Sequence, residues 1–281
     1  MNAINHAMMS MRVRGHSGQE VELLDGAIVR KTAYGADRHR LKRQIEKQAG
    51  FQHGMAHPGD RVRAPHVVRT VMELDSFAAD MEYITGKDFV QFLVDADRES
   101  LLAFAGTIIA FVEANLARSA DADVTNEVLS KLGELEGRGV PARFIEAGRR
   151  SCAEPVIIPL GPCHGDLTLS NILFKGSQIY LIDFLDCFVE SPIHDLVKIR
   201  QDTRFGWSLM LYDAPFDETK VRVALRFLDR EFAAAFAGHL WCQRHYEFFQ
   251  ALNFMRIFPY CKNQQTEQFV VTRLERMLEK G

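Results

Sequence analysis

The chain has 281 residues, 47% of them apolar, and a formal net charge of -3 at pH 7. It can bury a substantial core as one large or two modest domains. The near-neutral charge gives no global electrostatic reason to expect nucleic acid or an anionic membrane as partner.

Five cysteines, Cys152, Cys163, Cys187, Cys242 and Cys261, include no CxxC pair and no cysteine–histidine spacing of a zinc site. They fit reduced thiols, with Cys163 a small buried filler. Residues 1–14 hold no apolar core of signal-peptide length, and the run from Leu101 to Val112 is too short to span a bilayer, so a cytoplasmic protein is expected.

In chain order, Arg12 to Arg14, Val21 to Leu24 and Ala27 to Ala33 read as strands, separated by Gly15-His16-Ser17-Gly18 and Asp25-Gly26. Gly15 and Gly18 would let backbone N–H groups approach a phosphate, although a plain hairpin turn explains the same letters. The third strand carries Arg30 and Lys31 side by side. Alternate residues point to opposite faces, so only one can serve a given site. Lys31 is favoured, which puts Val29 on its face, and Arg30 is the alternative.

Asp37 to Gly50 reads as a basic helix stopped by Gly50. Glu46 is the only acid between Asp37 and Asp60, so it is the residue available to clamp a phosphate-binding cation; the other reading is a solvated partner for neighbouring lysines. Pro65 to Leu74 and Phe77 to Ile84 complete a five-stranded first lobe. The pattern then turns helical: Ser100 to Ala117 is expected to be the central core helix of the larger lobe, followed by Asn126 to Glu136 and Ala142 to Arg150.

The chemistry concentrates in Cys163-His164-Gly165-Asp166-Leu167-Thr168-Leu169-Ser170-Asn171, with Asp183 on the next short strand in Leu181-Ile182-Asp183-Phe184. Phosphoryl transfer needs a carboxylate to orient and deprotonate the acceptor hydroxyl, the place of Asp166. It also needs Mg2+, which takes hard oxygen ligands, and Asn171 and Asp183 offer an amide and a carboxylate oxygen. His164 is expected to brace the loop. A turn is the bland reading of an isolated His-Gly-Asp, but here four polar positions fall at the required spacings.

His164-Gly165-Asp166 with Asn171, and Ile182-Asp183-Phe184 without a following glycine, resemble the aminoglycoside phosphotransferase and choline kinase superfamily. That resemblance is sharpest from Pro162 to Asp195. It implies an α+β, bilobal protein-kinase-like fold: a nucleotide-binding lobe over residues 1–85, with a five-stranded antiparallel sheet and one helix, and a mainly helical catalytic and substrate-binding lobe over 86–281. It further implies a hinge in which the backbone of Glu82 and Ile84 bonds a purine, and an Asp195 that accepts backbone N–H bonds from the catalytic loop; an N-cap role for Asp195 stays open beside it.

A helix-packed core is the bland reading of the aromatic-rich region from Phe216 onward; the resemblance implies that this region also builds the acceptor pocket, with His239, Arg244, His245, Tyr246, Asn253 and Arg256 as polar candidates. Its mixed charges argue against a polycationic acceptor. The expectation is an ATP- or GTP-dependent, Mg2+-dependent O-phosphotransferase acting on a small molecule such as a sugar, amino alcohol or aminoglycoside-like compound. A protein kinase is disfavoured by the lack of Asp-Phe-Gly and Ala-Pro-Glu. A catalytically silent nucleotide-binding protein is disfavoured by the presence of Asp166, Asn171 and Asp183.

Overall fold

The structure is a computed structural model that describes residues 12–14, 19–24, 27–54 and 61–278. Two compact units divide the chain: one comprises the residues up to Lys87 together with Leu173–Asp186, the other Asp88–Ile172 together with Cys187 onward. The segment 173–186, which a division at residue 85 would assign to the second unit, packs with the first.

The first unit holds β1 (Arg12–Arg14), β2 (Glu20–Leu24), β3 (Ile28–Tyr34), β5 (Val67–Met72) and β6 (Ser76–Glu82) in one antiparallel sheet of order β1-β2-β3-β6-β5. Register fixes which side chains share a face: Val29 lies opposite Met81, Lys31 opposite Ala79 and Ala33 opposite Phe77, while Arg30 lies opposite Asp80. The first set faces α1 (Asp37–Gly54), whose Leu41 and Ile45 close an apolar cluster with Ala33, Phe77, Ala79 and Met81. The second set faces away.

Helix α1 continues past the expected stop, because Gly50 does not take the left-handed conformation that lets glycine end a helix. A further three-stranded sheet orders β4 (Val62–Arg63) parallel to β10 (Gln178–Leu181) and then β9 (Ile172–Lys175). Lys87 and Phe174 exchange backbone hydrogen bonds of 2.8 and 2.9 Å. Gly86 permits this approach, since a β-carbon there would sit 2.8 Å from the Phe174 carbonyl oxygen.

The second unit is helical apart from the β7 (Ala120–Asp123) and β8 (Ile157–Leu160) ribbon. Its first long helix, α3 (Arg98–Leu116), follows the short α2 (Phe89–Asp95) and buries Leu101, Phe104, Ala105, Ile108, Phe111 and Val112. By length and hydropathy its 19 residues could cross a membrane, unlike the shorter apolar run expected from the sequence. Its buried residues make it a core helix of this unit. The helix enclosed along its length is instead α6 (Pro192–Thr203), in which every residue but Lys198 is buried. Its polar letters hide it from a hydrophobicity pattern. Among the described residues, α4 (Thr125–Gly137), α5 (Ala142–Arg150), α7 (Trp207–Met210), α8 (Glu218–Phe236), α9 (Leu240–Ile257) and α10 (Gln264–Leu278) complete the unit, with α8 and α9 packed on α6.

Candidate active site

In the second unit, α6 positions the loop that carries Asp166. Asp195, Lys198 and Asp202 follow at helix spacings of three and four, so they form one stripe. The two oxygens of Asp195 accept the backbone N–H groups of His164 and Gly165, each at 2.8 Å. Ser191, not Asp195, caps α6: its hydroxyl accepts from Ile193 N–H and Pro192 takes the first helical position. Asp202 accepts from the N–H of Leu169 at 2.6 Å and from that of Ser208 at 2.8 Å. The loop bends at Gly165, which has a positive φ of 87°. His164 is wholly buried and its Nδ1 accepts the Asp166 N–H at 3.2 Å.

Asp166 is therefore fixed at its backbone, and its carboxylate has two side-chain partners. Lys198 Nζ lies 3.0 Å from one oxygen, and the Asn171 amide nitrogen donates to the other at 3.0 Å as well as to the Asp166 carbonyl at 2.9 Å. Burial pushes the carboxyl up, but Lys198, His164 and Arg256 together outweigh it and hold Asp166 below the usual carboxylate range. Both Asn171 donations go to Asp166, which leaves the amide oxygen, a hard ligand suited to Mg2+, to face elsewhere. Of the acceptor candidates, Arg256 is the one whose charge reaches Asp166. Tyr246 and Asn253 are buried core residues bonded to Gln250 and Gln201, and His239 pairs with Glu113.

In the first unit, Lys31 makes an ion pair with Asp183. Burial pushes the lysine down to about 8. Asp183 holds a left-handed backbone with φ 62°, uncommon for a residue with a side chain. The residues after it are gripped by one face of α1. Arg43 pairs with Asp186, Lys47 donates to the Leu185 carbonyl at 2.8 Å, and the Phe51 ring lies 5.2 Å from that of Phe184.

The alternative of Arg30 and the expectation for Glu46 both fall here. Arg30 is not available to phosphate: its guanidinium binds both oxygens of Asp80, at 2.6 and 2.9 Å, on the opposite face of the sheet from Lys31, and Arg69 pairs with the same carboxylate. Glu46 does not clamp Lys31. It follows Ile45, which α1 turns toward the sheet, so it is rotated into solvent and lies 3.7 Å from Lys42. Gly15 and Gly18 lie outside the described residues. At the expected hinge the Glu82 N–H is taken by the His66 carbonyl at 2.9 Å. The N–H of Ile84, a buried residue, has no acceptor among the described residues, which suits a purine nitrogen.

The profile of the phosphotransferase enzyme family, APH, matches residues 14–237. The chain belongs to this family. The phosphotransferase is also similar to solved structures. A thermostable mutant of aminoglycoside phosphotransferase APH(4)-Ia is 11% identical with a TM-score of 0.64, covering 97% of this chain and 94% of that one. APH(3'')-Id from Streptomyces rimosus is 14% identical with a TM-score of 0.53, covering 96% and 92%. A choline/ethanolamine kinase family protein from Mesorhizobium loti is 15% identical with a TM-score of 0.52, covering 98% and 90%. These likenesses establish a kinase-like α+β fold. No curated protein matches the sequence.

For this small-molecule phosphotransferase, reading the sequence missed Lys198, Asp202, Arg43 and Lys47. Lys198 had one available signal: it falls one helical turn after Asp195, on the stripe that faces the loop.

Proposed function

We propose that this phosphotransferase transfers the γ-phosphoryl group of ATP or GTP to a hydroxyl of a small molecule such as a sugar, amino alcohol or aminoglycoside-like compound. The observation that carries the reading is the half-buried Asp166 carboxylate, kept ionised beside Lys198 on a loop braced by Asp195 and Asp202. Asp166 takes the role of the group that orients the acceptor hydroxyl and receives its proton. Lys198 then holds the carboxylate in place and in charge, while the Asn171 amide limits its rotation.

The oxygens of Asn171 and Asp183 are the ligands for Mg2+, which when bound neutralises triphosphate charge. Lys31 serves the α/β-phosphates, and Ile84 N–H together with the Glu82 backbone serves the base. His164 and Asp195 support the loop. The neighbouring APH(4)-Ia has been solved as a ternary complex with ADP and hygromycin B, which supports a nucleotide and a small acceptor here. No nucleic acid or membrane partner is needed for this chemistry, and a cytoplasmic setting suits a nucleotide-consuming enzyme with free thiols.

The test is nucleotide-dependent ADP or GDP release with Mg2+ across a panel of sugars, amino alcohols and aminoglycosides, with phosphorylated product identified by mass. Asp166→Asn should lower kcat by about 10²–10⁴-fold while nucleotide still binds. Equal turnover by Asp166→Asn would overturn the assignment.

A further inference from the structure

Cys163 and Cys187 are 24 positions apart, a spacing with no metal signature in the sequence. Folding brings them together with Glu190. One ligand atom from each residue lies within 4.8 Å of the other two. The Cys163 thiol donates to one Glu190 oxygen at 3.2 Å, and the Cys187 backbone N–H donates to the other at 3.0 Å. The Glu190 carbonyl accepts the Gly161 N–H at 3.0 Å. The carboxylate is thus anchored at both ends and aimed at the two sulfurs.

We propose that Cys163, Cys187 and Glu190 form a binding site for a thiophilic divalent cation, with Zn2+ as the fitting ion. A tetrahedral ion with bonds of about 2.3 Å to sulfur holds its two sulfur atoms roughly 3.7 Å apart, so the present spacing needs only side-chain adjustment to close. Two thiolates and one carboxylate suit a borderline-soft ion and do not suit Mg2+. Both thiols lose their protons to solvent when the two metal–sulfur bonds form, and no oxidant is consumed. A simple tether between Cys163 and Glu190 would explain the first hydrogen bond, but it does not require a second sulfur within reach of both groups.

The fourth position is left for water or an exchangeable ligand, the pattern of an open rather than a closed structural site. Cys163 directly precedes His164, and the Cys187 sulfur already approaches the Gly165 carbonyl at 3.7 Å. Occupancy ties the first residues of the Asp166 loop to Cys187. The ion therefore regulates that loop instead of serving as a ligand to the nucleotide.

The test uses the reduced full chain, stripped of metal, and needs no phosphotransfer readout. Zn2+ affinity is measured by competition with a chromophoric chelator, and Co2+ is added in place of Zn2+ to look for a thiolate-to-cobalt charge-transfer band. One equivalent should bind with that band present, and excess Mg2+ should not displace it. Cys163→Ser and Cys187→Ser should each weaken binding by more than about 100-fold, since even outer partners of a metal site are worth roughly 10–100-fold. Glu190→Gln, at an exposed position, should weaken it while leaving the fold intact, so it decides the matter where a cysteine variant unfolds. Failure of the wild-type chain to compete for Zn2+, or retention of the cobalt band in Cys163→Ser/Cys187→Ser, overturns the site. So does a Cys163–Cys187 disulfide forming in air while the reduced chain ignores Zn2+.

Discussion

The ammonium of Lys47 donates to the carbonyl oxygen of Leu185 at 2.8 Å, two residues beyond the metal-ligand candidate Asp183. With Arg43 on Asp186 and Phe51 against Phe184, it makes α1 a three-point clamp, because residues at intervals of four share a helix face. Lys47→Met should therefore raise the Mg2+ concentration needed for half-maximal activity several-fold while kcat at saturating Mg2+ falls less. Arg43→Ala should act in the same direction at a stability cost of at most about 1 kcal/mol, since that pair is largely solvent-exposed. Equal Mg2+ dependence in all three proteins would show that the clamp does not position Asp183.

Lys198 makes a second prediction. Burial by itself raises the Asp166 carboxyl, and Lys198 is the largest opposing influence. Lys198→Met should therefore move the acid limb of the kcat profile to higher pH, and kcat at neutral pH should drop. A variant with lower kcat and an unmoved acid limb would assign Lys198 a different task.

Lys31, pushed to about 8 by burial, should lose its charge as pH rises through that value. Nucleotide affinity is expected to weaken on the alkaline side with a midpoint near there, and Lys31→Arg, whose guanidinium stays charged, should flatten that limb. Isothermal titration with ADP across the range reads this directly.

The buried Asp202 gives a stability prediction of opposite sense to most carboxylates. Burial raises it to about 6 despite the N–H groups of Ser208 and Leu169, which favour its charged form. A carboxyl whose folded value lies above its unfolded one contributes stability that is complete below the unfolded value and is lost as pH rises through the folded one. The advantage of the wild-type chain over Asp202→Ala should accordingly shrink between pH 4 and 7, by an amount of order 3 kcal/mol. Denaturant melts at the two ends of that range would measure it, and a constant difference would refute it.

The loop from His164 to Asn171 was legible because its chemistry needs particular residue types at fixed spacings, and the strand-rich first unit because alternation marks its strands. What was left open and what was misread share a cause. Choosing between Arg30 and Lys31, or giving Glu46 a partner, depends on which way a face turns, and that is fixed by the β3–β6 register and by the phase of α1 on the sheet. Helix α6 was underrated because its buried residues include Asp195, Arg200, Gln201 and Asp202, letters that read as surface until their partners are known. The pairing of Cys163 with Cys187 is a tertiary event that no local pattern records.

The positive φ at Asp183 bears on how this protein should be disabled. Replacing that residue by alanine removes the carboxylate and also the short polar side chain that lets aspartate and asparagine occupy a left-handed backbone more readily than other residues, so a loss of activity would mix chemistry with distortion. Asparagine keeps the shape and deletes only the charge. An inactive reference enzyme for screening acceptors is therefore better built as Asp183→Asn.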